Sequence, residues 1–479
     1  MTPPPYSAEE RKQIIGQFFH FYQPERRGHI GPSVRLPELG STGIHFRLLS
    51  EVNYKIANES YLPFFLRRDM DKVLHHSCIT FFPSLRYWFE KAYPEGQLSG
   101  WSSFNTMLQT RIKNMPDGEY HVLSGPPIHI ILPLLPDEDI RMVLEITRQV
   151  DTEDFGFTPK GLFCPEMAVD ARVLKAAAEV GYEYVPLRDY QVDINDKTKQ
   201  HQDGSVDSVN NVVYVEFPDG RHIATVLVDT NLSGQYAFNR QATTNADQFL
   251  ESLKQHMQTN KLSAIDGETI GHHIQYLDLF FARMHEVMEE KGFLQLDVRR
   301  LLSSMEKIYA SVKPTSWSCA HGFGRWTGEC DCDNPPHEVR HNKYVFSKKL
   351  RYYNDHINLR LDAIKPGWRV EFKALFTKLR KKILTGDNYI PDLEEAIGDQ
   401  NYLRYMTTKF AIMVGFTSCG TFFAHKNQVE KRIPKACIQA VELLLPEERI
   451  KFRLANPDLI ELDDNTGQRV AAEDQYEFV

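Results

Sequence analysis

The stretch GLFCPEMAVDARVLKAAAEVGYEYVPL, residues 161–187, decides the fold class. It opens on a short apolar run, 161–164, and continues into a segment where Val169, Val173, Ala176 and Val180 recur at helical spacing. Gly181 follows, a residue suited to the left-handed position that ends a helix, and 184–187 reads as a second strand. A strand, a helix and a strand in immediate succession form a crossover unit, and such units build parallel sheets.

The same alternation extends outward in both directions. Further strands are expected at 13–21 (QIIGQFFHF), 128–132 (IHIIL), 212–217, 223–228 and 262–266, and Ile274, Leu277, Phe281, Met284 and Met288 mark a helix that Gly292 ends. The pattern predicts an α/β fold with a mostly parallel sheet, closed as a barrel or left open. After about residue 340 the strand signals stop, and 371–384, 402–414 and 436–445 read as helices. Residues 195–210 are polar and read as a surface loop, and the acidic end after Leu462 as a frayed tail.

A chain of 479 residues can bury an extensive core, and its formal charge of −8 argues against a nucleic-acid partner. The basic stretch 373–382 (KALFTKLRKK) reads as a solvated helix face. No apolar run reaches the roughly 18 residues of a membrane span, and the polar N-terminal residues carry no secretory signal, so neither a membrane association nor secretion is expected. Seven cysteines, an odd number spread over a long chain, fit reduced thiols and a cytoplasmic location.

Three polar positions stand directly after strand-like runs. His20 ends QIIGQFFH and is followed by Gln23; Glu166 follows GLFCP; Asp266 follows LSAI and opens DGETIGHH, which adds Glu268, His272 and His273. In a parallel barrel the C-terminal strand ends share one rim, so residues far apart in sequence meet there. Each carboxylate also has a structural reading: Glu166 beside a helix N-terminus, Asp266 as a cap or turn residue. An Asp, a Glu and two His crowded after one buried strand are harder to explain by packing.

These segments resemble glycoside hydrolase family 57, in particular its α-amylase/α-mannosidase-like branch. HFYQPER (20–26), IHIILPLL (128–135), GLFCPEMAVD (161–170) and AIDGETIGHH (264–273) are similar to family motifs in the family's order, and TSWSCAHGFGRW (315–326) and TSCGTFF (417–423) resemble further segments. The resemblance implies a (β/α)7 barrel, TIM-barrel-like, followed by an all-helical domain. Residues 1–310 would form the catalytic barrel, 311–465 a helical domain completing the cleft, and 466–479 an acidic tail. It also implies a retaining glycosidase or transglycosylase on α-linked oligo- or polysaccharide, with Glu166 as nucleophile and Asp266 as acid/base. His20, Gln23, His129 and Glu268 would line the sugar cleft, with His272 and His273 beside them. Phe18 stands where the first motif often has a further His, and Phe163-Cys164 replace an aromatic-Leu pair.

Trp317 and Trp326 flank SCAHGFGR and are candidates to stack on a sugar face, with interdomain packing as the other reading. No cofactor and no catalytic metal are expected. Two rival functions remain at this point. One is a metal-dependent carbohydrate hydrolase of deacetylase or α-mannosidase type, with His20, His129, Asp266, His272 and His273 as zinc ligands; no H-x-D stands near the first strand to support it. The other is a non-catalytic glycan-binding protein. Separately, Cys319, His321, Cys330 and Cys332 offer four soft ligands at a spacing unlike an ordinary zinc knuckle. The sequence leaves sugar identity, linkage and oligomeric state open.

Overall fold

A computed structural model of the chain describes residues 4–23, 53–93, 110–195, 212–256, 260–303, 307–385, 387, 389–422, 432–463 and 468–469. The surface-loop reading of 195–210 and most of the acidic tail therefore fall outside the described residues, as do Pro24, Glu25 and Arg26 of the first motif. The chain divides into two compact units. The first comprises Met1–Gln23, Glu51–Gly125 and Thr147–Trp317; the second comprises Pro24–Ser50, Pro126–Ile146 and Ser318–Val479.

Among its described residues the first unit has eleven strands: β1 (Ile14–Phe21), β2 (Cys78–Phe81), β3 (Val122–Ser124), β4 (Gly161–Leu162), β5 (Tyr184–Arg188), β6 (Val192–Ile194), β7 (Val212–Glu216), β8 (His222–Val228), β9 (Lys261–Asp266), β10 (Leu294–Gln295) and β11 (Tyr309–Val312). Seven of them lie side by side in the order β9-β1-β2-β3-β4-β5-β8, every pair parallel. The two ends of this series approach each other: Asp229 N, just past β8, donates to Leu262 O of β9 at 2.8 Å, and Lys261 Nζ lies 2.5 Å from Asp229 Oδ2. The sheet thus curls as a seven-stranded parallel barrel does, in agreement with the expected fold. β7 pairs antiparallel with β8, and β11 and β6 extend the sheet beyond it.

The outer face of β1 shows how the layers are glued. Phe19 and Phe21 sit in one apolar cluster with Phe64, Phe65, Phe81 and Phe281. The Phe19 ring meets Phe64 at 5.1 Å and Phe281 at 5.3 Å, both edge-on. Strand side chains alternate between faces, so Phe18 and His20 point to the opposite, inner side. Burying these rings contributes roughly 1.5–3 kcal/mol per side chain.

Local chemistry explains where the elements begin and end. The crossover helix runs Ala171–Val180; Asp170 caps it by accepting from the backbone N–H of Arg172 and Val173, and Gly181 closes it at φ 97°. One expected strand does not form. Residues 128–132 make only an isolated bridge at Ile130 with Thr417, followed by a short 3-10 turn, Leu132–Leu134. Pro126, Pro127 and Pro133 lack the N–H groups a ladder needs, and the barrel instead uses the shorter β3 upstream.

The second unit is helical: His337–Ile364, Trp368–Leu384, Ile390–Ala396, Gln400–Gly415, Ser418–Phe422, Arg432–Leu444 and Pro446–Ala455 follow one another among its described residues. Phe372 stacks on Phe410 at 4.3 Å between two of these helices. A polar network lies at its centre. Lys409 Nζ donates to Asp139 Oδ2 (2.7 Å), Asn354 Oδ1 (2.6 Å) and Asn358 Oδ1 (2.8 Å), and both Asn amides donate back to Asp139 Oδ2. No described helix is long and apolar enough to cross a membrane.

Candidate active site

His20 and Asp266 are register partners on the adjacent parallel strands β1 and β9, both near the C-terminal ends. Ile265 belongs to the outer apolar cluster, so Asp266, like His20, faces inward. Asp266 stands where a cap residue of the short 3-10 turn Gly267–Thr269 would stand, but its side chain makes no capping hydrogen bond. Burial drives its carboxyl well above the usual range, and the charges of Glu268 and then Glu166 push it further; Arg188 opposes them. The charge of Glu166, 100 residues away in sequence (266 − 166), thus bears on the Asp266 carboxyl.

Glu166 reaches the site through a strained turn. It sits in a single 3-10 turn, Pro165–Met167, with φ 57° and ψ 18°, and Met167 also has positive φ. Left-handed backbone costs a side-chain-bearing residue roughly 1–2 kcal/mol, so the surroundings must hold it. They do: Trp317 N donates to Glu166 O at 2.9 Å, Val169 and Thr315 exchange backbone hydrogen bonds, and Gln191 Nε2 donates to Met167 O at 2.8 Å. The side chain is fixed as well, because the Trp317 indole N–H donates to Glu166 Oε2 at 2.8 Å. Since Asp170 caps the crossover helix, Glu166 is not needed for that task.

Aromatic rings join the two carboxylates. The His20 ring stacks on Phe163 at 4.6 Å and meets Trp317 edge-on at 5.9 Å. Its Nδ1 lies 3.0 Å from Thr80 Oγ1, and burial pushes the imidazole down to about 3, so the ring is neutral. Arg188, at the end of β5, places its guanidinium 5.5 Å from the Trp317 ring centroid, and burial lowers its pKa. Its Nε and Nη1 are buried donors with no partner among the described residues.

Glu268 is reached from another direction. Gln23 Nε2 donates to Tyr61 OH at 3.1 Å, and Tyr61 OH donates to Glu268 Oε2 at 3.1 Å. Burial and the Glu268 charge raise the Tyr61 phenol well above its ordinary pKa. Tyr61 ends a π-helical turn, Ala57–Tyr61, onto which the loop after β9 docks: Ser60 Oγ donates to Gly267 O at 2.6 Å. Gly271 makes the docking possible, since with φ 96° a Cβ there would lie 2.2 Å from Glu59 O.

The remaining sequence candidates have their own described surroundings. His272 Nδ1 is 2.6 Å from Glu59 Oε2, and His273 is exposed; both line a recess of about 910 Å3 with Arg240, Tyr276 and Phe280, to which Glu166 and Asp266 do not contribute. Partial desolvation of its ring, then the neighbouring His272, lowers the His273 pKa. His129 and Trp326 belong to the second unit. There His129 Nδ1 lies 2.7 Å from Ser418 Oγ and its carbonyl accepts from Ser418 N, while Trp326 is buried near Phe422. His20, Asp266 and the two consecutive histidines do not gather as a metal-ligand cluster. Arg188, Thr80 and Tyr61 are members that the sequence reading misses. Arg188 carries the same signal as His20 and Asp266, a polar residue at a strand's C-terminal end; Tyr61 carries none.

A curled parallel α/β sheet, with a protonation-prone carboxyl and a second carboxylate at its C-terminal strand ends, defines a barrel protein equipped for acid–base work on a bound ligand. The chain belongs to glycosyl hydrolase family 57, whose sequence profile matches residues 58–316. It is 28% identical over 159 residues to alpha-amylase 1 of Dictyoglomus thermophilum, an alignment covering 31% of this chain and 21%, about a fifth, of that amylase. Among solved structures, it is similar to an exo-type maltose-forming amylase from Pyrococcus sp. ST04, with TM-score 0.62, 14% identity, and coverage of 93% of this chain and 81% of that one. A GH57-type branching enzyme from Pyrococcus horikoshii gives TM-score 0.55 and 14% identity, over 91% of this chain and 96% of that one. These structural likenesses are likenesses of fold.

Proposed function

We propose that the chain is a retaining glycosidase or transglycosylase acting on α-linked glucan, with Glu166 as nucleophile and Asp266 as proton donor. The observation that carries this reading is the electrostatic pairing: burial, Glu268 and Glu166 all favour the protonated form of Asp266. Two carboxyls whose surroundings separate their protonation states are what a general acid and its partner require. The amylase and branching-enzyme names of the relatives support an α-glucan as substrate.

In the first step Glu166 attacks the anomeric carbon while Asp266 gives its proton to the departing glycosidic oxygen. A glycosyl ester on Glu166 results, and Asp266 is left ionised. In the second step Asp266 takes a proton from water, or from an acceptor sugar hydroxyl, whose oxygen displaces Glu166. Two inversions retain the configuration, which requires carboxyls roughly 5–5.5 Å apart. Trp317 holds the attacking carboxylate in place, and neutral His20, Gln23, Glu268 and the unpartnered Arg188 donors are the sugar contacts we assign.

The test uses Asp266→Asn and Glu166→Gly; glycine is chosen because position 166 is left-handed, where it rests without strain. Both variants should lose activity on malto-oligosaccharides by several orders of magnitude. Azide should restore turnover of an activated α-glucoside in both, giving the β-glycosyl azide from Glu166→Gly and the α-glycosyl azide from Asp266→Asn. Wild-type rates in either variant, or an inverted wild-type product by NMR, sink the assignment.

A further inference from the structure

We propose that Cys319, His321, Cys330 and Cys332 form a structural zinc site in the second unit. Their four ligand atoms lie within 4.8 Å of one another, and no other such group of three or more His, Cys, Asp or Glu occurs among the described residues. Cys319 Sγ is 3.7 Å from Cys330 Sγ and 3.7 Å from Cys332 Sγ, and His321 Nδ1 is 3.3 Å from Cys332 Sγ. A tetrahedral zinc with Zn–S of about 2.3 Å and Zn–N of about 2.0 Å separates its sulfurs by ~3.8 Å and sulfur from nitrogen by ~3.5 Å. The three spacings above lie close to those edges. A disulfide fits worse: its sulfurs stand about 2.05 Å apart, and a pair would leave the third thiol and the imidazole unexplained.

The surrounding segment needs such a cross-link. Between Trp317 and the helix His337–Ile364 its regular structure is one turn of helix, Gly324–Thr327. Gly324 passes so close that a Cβ there would lie 3.1 Å from Cys330 Sγ. The strand of chain carrying Cys330 and Cys332 is tied on both sides, by Arg325–Asp333 at 2.6 Å and by the Arg340–Asp331 ion pair. These contacts hold the ligands together before any ion arrives, so little conformational freedom is lost on binding. Three thiols crowded in this way repel one another as thiolates, and a dication removes the repulsion. Binding follows the balance Zn2+ + 3 R–SH + imidazole → [Zn(SR)3(imidazole)]− + 3 H+, so the ion is released on acidification. The centre is tetrahedrally saturated by protein ligands, which makes its role structural. None of its ligands belongs to the proposed catalytic set.

The test is elemental analysis of the full chain purified without chelator from zinc-supplemented medium, which should give one zinc per chain. Cys330→Ser/Cys332→Ser should contain none. Because that variant can fail to fold, two further measurements are made on folded protein. His321→Cys should retain one zinc, as a four-thiolate site. Cobalt(II) exchanged into the wild-type chain should show the intense visible bands of tetrahedral cobalt and thiolate charge transfer in the near ultraviolet. Metal-free wild-type protein, zinc kept by the double variant, octahedral cobalt spectra, or a mass two hydrogens short through a disulfide would each overturn the proposal.

Discussion

Glu268 exerts the larger of the two charge effects that keep Asp266 protonated, ahead of Glu166. If Asp266 is the proton donor proposed above, it works only while it holds its proton, so the reaction should fade as pH rises through its pKa, which would set the basic limb of kcat/KM. Glu268→Gln removes a negative neighbour, lowers that pKa, and should move the basic limb to lower pH. Glu268→Asp, which keeps the charge, should move it less. A pH–rate profile in which neither variant shifts the limb would show that Glu268 does not tune the acid. The residues that sequence reveals at this scale are those next to strand-like runs: His20, Glu166, Asp266. The left-handed turn at Glu166, its clamp by Trp317 from 151 residues away, and the Gln23–Tyr61–Glu268 relay depend on tertiary contacts that no local pattern encodes.

At the scale of an element, the crossover helix Ala171–Val180 separates stability from chemistry. Asp170 satisfies two backbone N–H groups at its start, and Asp170→Ala should cost about 1 kcal/mol, read as a lower denaturation midpoint at unchanged m-value. A loss confined to kcat, with no change in stability, would mean that the cap instead serves the Glu166 turn. This helix was legible because its apolar spacing and its Gly181 terminator agree. The 128–132 run misled because apolarity alone reads as a strand, while its prolines decide otherwise. β2 and β3 escaped notice for the opposite reason: at four and three residues they are too short to show a period.

Across the whole molecule, stability rests on polar groups that sequence cannot flag. Lys409 looks like one more basic residue on an amphipathic helix, yet it is 0% exposed and faces Asp139 at 1%. Burial alone would raise the Asp139 pKa, but Lys409 and the two Asn amides bring it below the ordinary value. A depressed carboxyl stabilises the fold above its unfolded pKa of about 3.9 and loses that contribution as pH falls through the folded value. Lys409→Met should therefore cost about 3–5 kcal/mol at neutral pH, and adding Asp139→Leu should recover much of it. Additive losses in chemical denaturation of the two variants would count against the pairing. The length of chain between β1 and β9 has its own outcome for synthesis. Every residue of β1 is buried, yet the neighbour of His20, Asp266, is made 246 residues later (266 − 20). At about 5–20 residues per second a ribosome needs roughly ten to fifty seconds to cover that interval. For that time one flank of an eight-residue, phenylalanine-rich ribbon is an unpaired edge open to any stray strand.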